Sequence, residues 1–219
     1  MMNRMYMVGH MERDGRAAYA GRLAGRGRLK VNVSLGSVSI SQGSPHIVVS
    51  GAPGSYKITQ AKNEVAISGR GCRMRIRYPK DADIDASVNG GGLSIDGMTP
   101  KRLKVRISNG GANIRCVRLP EITADINSES GGVRAMLGFA RSAGRSMISI
   151  KTRSSAVALG IKAGKSDVIG TKIRQSDSLV RAPRNGYGKI LVKVDSADSA
   201  VFIGRKTAIP RNIASLVTR

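Results

Sequence analysis

The run Leu103-Lys104-Val105-Arg106-Ile107-Ser108-Asn109-Gly110-Gly111-Ala112-Asn113-Ile114 holds one complete structural unit. Leu103, Val105 and Ile107 alternate with Lys104 and Arg106, the period of a strand with one buried face. Ser108 to Gly111 then supplies small residues, including glycine and asparagine that accept positive φ without a Cβ clash. Ala112 to Ile114 opens a second strand beyond this corner.

The phrase recurs on both sides. Upstream, Ile84 to Val88 leads through Asn89-Gly90-Gly91-Gly92 to Leu93 and Ile95. Downstream, Ile122 to Ile126 leads through Asn127, Ser128, Gly131 and Gly132 to Val133. Looser corners follow at Ser154-Ser155, Ser176-Asp177 and Ser196-Ala197-Asp198. Earlier versions are Val31 to Leu35 with Gly36-Ser37, and Ile58 with Lys62-Asn63 before Val65. Corners return about every 20 to 24 residues, a period that marks a repeat architecture. A single unit cannot cover its own apolar face, whereas units stacked about 4.8 Å apart close both the backbone ladder and the core. The expected fold is an all-β, single-stranded β-solenoid (β-helix) of roughly seven or eight coils over residues 29–204. Residues 1–28 are expected to form an Arg/Gly-rich arm, and residues 205–219 a C-terminal docking segment.

The stretch Tyr78-Pro79-Lys80-Asp81-Ala82-Asp83-Ile84-Asp85-Ala86-Ser87-Val88-Asn89-Gly90-Gly91-Gly92-Leu93-Ser94-Ile95-Asp96-Gly97 also resembles a recurring phrase of the adhesin-type β-solenoid domains of unknown function. There, proline, small polar residues, an alternating strand and Asn-Gly mark the start of a coil. The likeness runs from about Leu29 to Ile203 and implies the same β-helix. It implies no catalytic residues. This chain is far more basic than that family's usual members and shows no export signal.

Composition narrows the chemistry. The chain has 219 residues, no Trp, two Phe and five Tyr, so Val, Ile, Leu, Ala and Met must fill the core. Its formal charge is +23, well beyond what solubility needs, and a polyanion or an acidic partner surface is expected nearby. Few aromatics argue against single-strand binding by base stacking. The residues expected to meet that partner are Arg4, Arg13, Arg16, Arg22, Arg26 and Arg28 in the arm, with Arg73, Arg75, Arg77, Lys104, Arg106, Lys151, Arg153, Lys172, Arg174 and Lys193 as ladders on the outer faces.

Other motifs fail their chemistry. Gly164-Lys165-Ser166 resembles part of a phosphate loop, but Leu159 stands where the first glycine belongs and no helix follows. Asp81, Asp83 and Asp85 lack the glycine turn and bidentate glutamate of a calcium loop. His10 and His46 are the only histidines and make no zinc cluster. Cys72 and Cys116 sit in strand-like surroundings and are expected as buried free thiols. No catalytic site, metal or cofactor is expected.

Three functional classes remain. The first is a non-enzymatic structural protein, oligomeric with itself or other subunits and built into a larger particle such as a virion. The second is a nucleic-acid-binding protein that contacts phosphates without reading bases; the third is a surface adhesion module for anionic glycan. Without a secretory signal or a membrane span in the sequence, a cytoplasmic or particle-packaged location is expected.

Overall fold

The computed structural model describes residues 10–13, 16–23, 27–52, 54–140, 144–163, 169–176, 178–181 and 189–205. Every regular element among them is a strand. The strands form an eleven-stranded and a nine-stranded sheet whose inner faces share one aliphatic cluster. Parallel pairing dominates, as in a β-helix.

In chain order, β1 (His10–Arg13) and β2 (Arg16–Arg22) make an antiparallel hairpin. The first corner pair is β3 (Arg28–Ser34) with β4 (Ser37–Gln42). A hairpin excursion follows: β5 (His46–Gly51), β6 (Tyr56–Gln60), β7 (Glu64–Arg70) and β8 (Arg73–Tyr78). The regular body runs through β9 (Asp83–Asn89), β10 (Gly92–Met98), β11 (Arg102–Ser108), β12 (Gly111–Leu119), β13 (Thr123–Glu129), β14 (Gly132–Phe139), β15 (Ser146–Arg153) and β16 (Ala156–Lys162). Last come β17 (Ile169–Ser176), β18 (Leu179–Arg181), β19 (Ile190–Ala197) and β20 (Ala200–Arg205). Odd-numbered strands from β7 to β19 lie in the nine-stranded sheet and even-numbered ones from β8 to β20 in the other.

Register turns the alternation into columns. Ile76, Ile40, Ile95, Ile114, Ala135, Leu159 and Ile203 follow one another across the inner face of the larger sheet. Ile67, Val31, Ala86, Val105, Ile126, Ile150 and Val194 do the same in the smaller one. All are buried, and each large aliphatic side chain among them contributes about 2 kcal/mol of transfer free energy.

The corners stack as well. Leu35, Asn109, Ser130, Ser154 and Asp198 have φ between 47° and 54°, and Gly90 occupies the same position at 67°. Their N–H groups reach across to the adjacent coil: Leu35 donates to the Asn89 carbonyl at 2.7 Å, Gly90 to Ser108 at 2.8 Å, Asn109 to Glu129 at 3.0 Å. The following residue must be small. A Cβ on Gly91, Gly110 or Gly131 would overlap a carbonyl oxygen of the coil beneath. At Ser155 and Ser199 the hydroxyl turns back onto the Arg153 and Ala197 carbonyls at 2.8 and 2.6 Å, so serine fits these later corners.

The spatial order of coils departs from a simple pile in sequence order. β3 and β4 lie between the β7/β8 pair and the β9/β10 pair, and β19 and β20 lie between β15/β16 and β17/β18. The composition of the inward positions fits the second case. β19 presents Ile190, Val192 and Val194 to the core, all buried, whereas β17 offers Ile169, Thr171 and Ile173, the last 43% exposed. The richer strand occupies the interior position and the poorer one the end of the strand order among the described residues.

Ile58 and Val65 do not belong to a parallel corner: β6 and β7 pair antiparallel, with Ile58 opposite Ile67. Two segments of the N-terminal 28 residues are the strands β1 and β2. β2 pairs antiparallel with β5, so the backbone groups on that edge of β5 find partners, and Leu23 just beyond it is buried. The rings of Tyr19 and Tyr56 meet at 5.7 Å near this end of the stack. Of the C-terminal docking segment, residues 205–219, Arg205 ends β20, while residues 206–219 and Gly164-Lys165-Ser166 lie outside the described residues.

Candidate functional site

The two outer faces handle charge differently. On the nine-stranded sheet, cations and carboxylates interleave in register: Lys30, Asp85, Lys104 and Asp125 stand side by side on successive strands. Lys151, Asp195 and Arg174 form another such row. Asp85 receives Arg28 at 3.1 Å and Arg106 at 3.3 Å, and Asp83 accepts from Arg102 Nε at 2.7 Å. The expected like-charge ladders are therefore broken up on this face. Like-charge neighbours meet at its open end, where Lys172 pairs in register with Lys193. A hollow of about 530 Å³ here is lined by both signs, among them Arg106, Glu129, Lys151, Arg153 and Asp195.

The eleven-stranded face lacks this neutralisation. Arg73, Arg75 and Arg77 project outward from β8 because Met74, Ile76 and Tyr78 take the inner positions. All three are exposed and make no ion pair among the described residues. Their registered neighbours are Ser50, Val48 and His46 on β5, and Ser37, Ser39 and Ser41 on β4. Arg22 on β2 lies opposite His46 and extends the patch. Among the described side chains, Asp96 is the one carboxylate on this face. It is held by the guanidinium of Arg115, whose proton affinity rises through that hydrogen bond.

Beside β8 the surface dips into a trough of about 540 Å³. Its floor is two registered rows, Ser37, Gly92, Gly111 and Gly132, then Ser39, Ser94 and Asn113. Arg73 and Arg75 form one wall and Arg134 the other. Four inter-strand steps separate β8 from β14, a span of about 19 Å. The depression arises because these rows carry little side chain between Arg73 and Arg75 on one side and Arg134 on the other.

Arg73 and Arg75 were expected from the sequence to meet an anion, and the fold sets them at the trough. Arg134 and the serine-asparagine floor were not anticipated. Arg134 stood in an outward strand position after Gly132-Val133, a visible signal, but its register opposite Asn113 belongs to the tertiary structure. Lys104, Arg106, Lys151, Arg153, Lys172, Arg174 and Lys193 lie on the opposite sheet. Arg13 and Arg16 fall in β1 and β2, whereas Arg4 and Arg26 lie outside the described residues.

Both cysteines are free and buried. Burial pushes the Cys72 thiol up, and burial together with the Asp96 charge pushes Cys116 up to about 12, so neither forms a thiolate near neutrality. His46 has Arg22 and Arg77 as its registered neighbours, so neither offers it an orienting carboxylate. No group of three or more metal-ligating side chains is found among the described residues. Likewise, no helix among them is long and apolar enough to cross a membrane.

Two solved structures are similar to the chain. One, described as a "putative cell adhesion protein" from Clostridium sporogenes, is 14% identical, covers 87% of this chain and 100% of its own, and superposes with a TM-score of 0.52. The other, described as a "putative adhesin" from Bacteroides fragilis, is 9% identical over 88% of this chain and 98% of its own, with a TM-score of 0.40. The first likeness is one of fold. No protein-family model and no curated protein matches the sequence.

Proposed function

We propose that the chain is a β-solenoid of seven or eight coils that serves as a non-enzymatic surface adhesion module, its eleven-stranded face engaging an anionic partner. The observation that carries this reading is the unneutralised arginine set Arg73, Arg75 and Arg77 on one sheet, while the opposite face pairs Arg28, Arg102 and Arg106 with acids. The fold shared with a structure described as a cell adhesion protein supports it. A stacked β-sheet presents such a patch with little ordering cost on binding.

The test is retention of the purified chain on a dextran sulfate surface. Replacing Arg73, Arg75 and Arg77 together by Ser should lower retention about tenfold or more, as expected when several charge-assisted contacts are lost. Replacing Lys151 and Arg153 on the other face should change it little. Equal loss from both sets would defeat the assignment of the face.

The place of β17 at the end of the nine-stranded order among the described residues, with Ile173 exposed and Lys172 and Arg174 outward, favours a second reading, incorporation into a larger assembly such as a virion. A parallel strand at the end of a sheet is a template for another chain. Concentration-dependent sedimentation, abolished by Ile173→Lys, would favour that reading, and a monomer at every concentration would remove it.

A further inference from the structure

We propose that the trough between Arg73/Arg75 and Arg134 is a subsite for a sparsely charged acidic glycan, laid across the strands along the solenoid axis. One carboxylate or sulfate sits in the forks of Arg73 and Arg75, neutral hydroxyl-bearing rings cross the floor, and a second anionic group meets Arg134. The inference rests on the adhesion reading and supplies its ligand class.

Charge placement is the first argument. Arg73 and Arg75 are two residues apart on one strand face, about 7 Å along the chain, and planar guanidinium forks match carboxylate and sulfate oxygens. No acid among the described residues competes for them or for Arg134. Between the walls the floor is uncharged for about 19 Å. A nucleic-acid duplex carries a charge every ~1.7 Å of its axis and would set many phosphates over a neutral surface.

The floor itself is the second argument. Ser37, Ser39, Ser94 and Asn113 offer hydroxyl and amide groups that pair with sugar hydroxyls, and the glycines between them let ring faces approach. No aromatic residue among the described ones lines the trough, so unpaired bases find nothing there to stack on. Glycan is the polyanion whose charge density and hydroxyl content both fit.

Calorimetric titration of the full chain with hyaluronan oligosaccharides, which carry a carboxylate on every second ring, tests the proposal. Affinity should rise with length until the oligosaccharide spans both walls and then level off. Arg134→Ser should abolish that length step while leaving the shortest oligosaccharides unaffected. Arg73→Ser with Arg75→Ser should weaken every length about tenfold or more, and Arg153→Ser should change nothing. A smooth increase with no plateau, or an Arg134→Ser variant that behaves as the parent, would overturn the glycan subsite. Retention on dextran sulfate lost only in the Arg73/Arg75/Arg77 variant would leave the adhesion reading standing even then. A 20-base-pair duplex that binds more tightly than any oligosaccharide would assign the face to nucleic acid instead.

Discussion

Gly110 lies directly on Gly91: the N–H of Gly111 donates to the Gly91 carbonyl at 2.9 Å, and a Cβ on Gly110 would overlap that same oxygen. The same relation repeats between Gly131 and Gly110, so the corner ladder and the hydrogen-bond ladder share their atoms.

Gly110→Ala should therefore destabilise the chain by about 2–4 kcal/mol, because the obstacle is backbone that cannot move without breaking the ladder. Gly111→Ala, whose Cβ would meet only the Gly132 carbonyl at 3.8 Å, should stay within about 0.5 kcal/mol of the parent. Urea unfolding midpoints decide this, and equal shifts for the two variants would contradict the stacking argument.

Leu35 holds the same corner position with φ 54° while its side chain is 61% exposed. It bears the left-handed strain of a branched residue and recovers little by burial. Leu35→Asn should raise stability by about 0.5–1 kcal/mol, seen as a higher urea midpoint with unchanged slope. A lower midpoint would mean that Leu35 packs usefully against its neighbours.

Asp85 joins Arg28 and Arg106 and lies in register between Lys30 and Lys104. Its side chain is only 12% exposed, so Asp85→Asn leaves clustered cations without their counter-charge. A loss of about 1–2 kcal/mol is expected at low salt, shrinking in 1 M sodium chloride as the remaining repulsion is screened. A loss independent of salt would point to shape rather than charge.

Alkaline pH should weaken the fold. Burial pushes Tyr78, whose hydroxyl donates to the Arg28 carbonyl at 3.4 Å, up to about 12 from 10, and Cys116 up to about 12 from 9. Both raised values mean that the native state keeps protons the unfolded chain releases. The contribution is complete below pH ~9 and is lost as pH climbs towards ~12. Unfolding midpoints measured from pH 7 to 11 should begin to fall near pH 9, and Cys72→Ala combined with Cys116→Ala should delay the fall to about pH 10, where tyrosine titrates. A midpoint flat to pH 11 in the parent would refute this account.

Much of the architecture was legible in single segments. Arg73 to Tyr78 announces an inward and an outward face by alternation alone, and Asn109-Gly110 announces a corner by backbone tolerance. The trough was not legible, because it depends on which strands lie side by side. Ser39 reaches the floor only because β4 wedges between β8 and β10, and Arg134 becomes a wall only through the register of β14 on β12. The neutralised face was hidden for the same reason: Lys104 meets Asp85 and Asp125 through pairings that no local pattern encodes.

Strand period, corner chemistry and the excess of positive charge are properties of neighbouring residues along the chain, and the amino-acid order alone determines them. The order in which coils stack, the pairing of Arg28, Arg102 and Arg106 with carboxylates on one sheet and the hollow between Arg75 and Arg134 were decided only on folding. The physical reason is that inter-strand register brings together side chains far apart in sequence, and burial of the most aliphatic strands selects which register prevails.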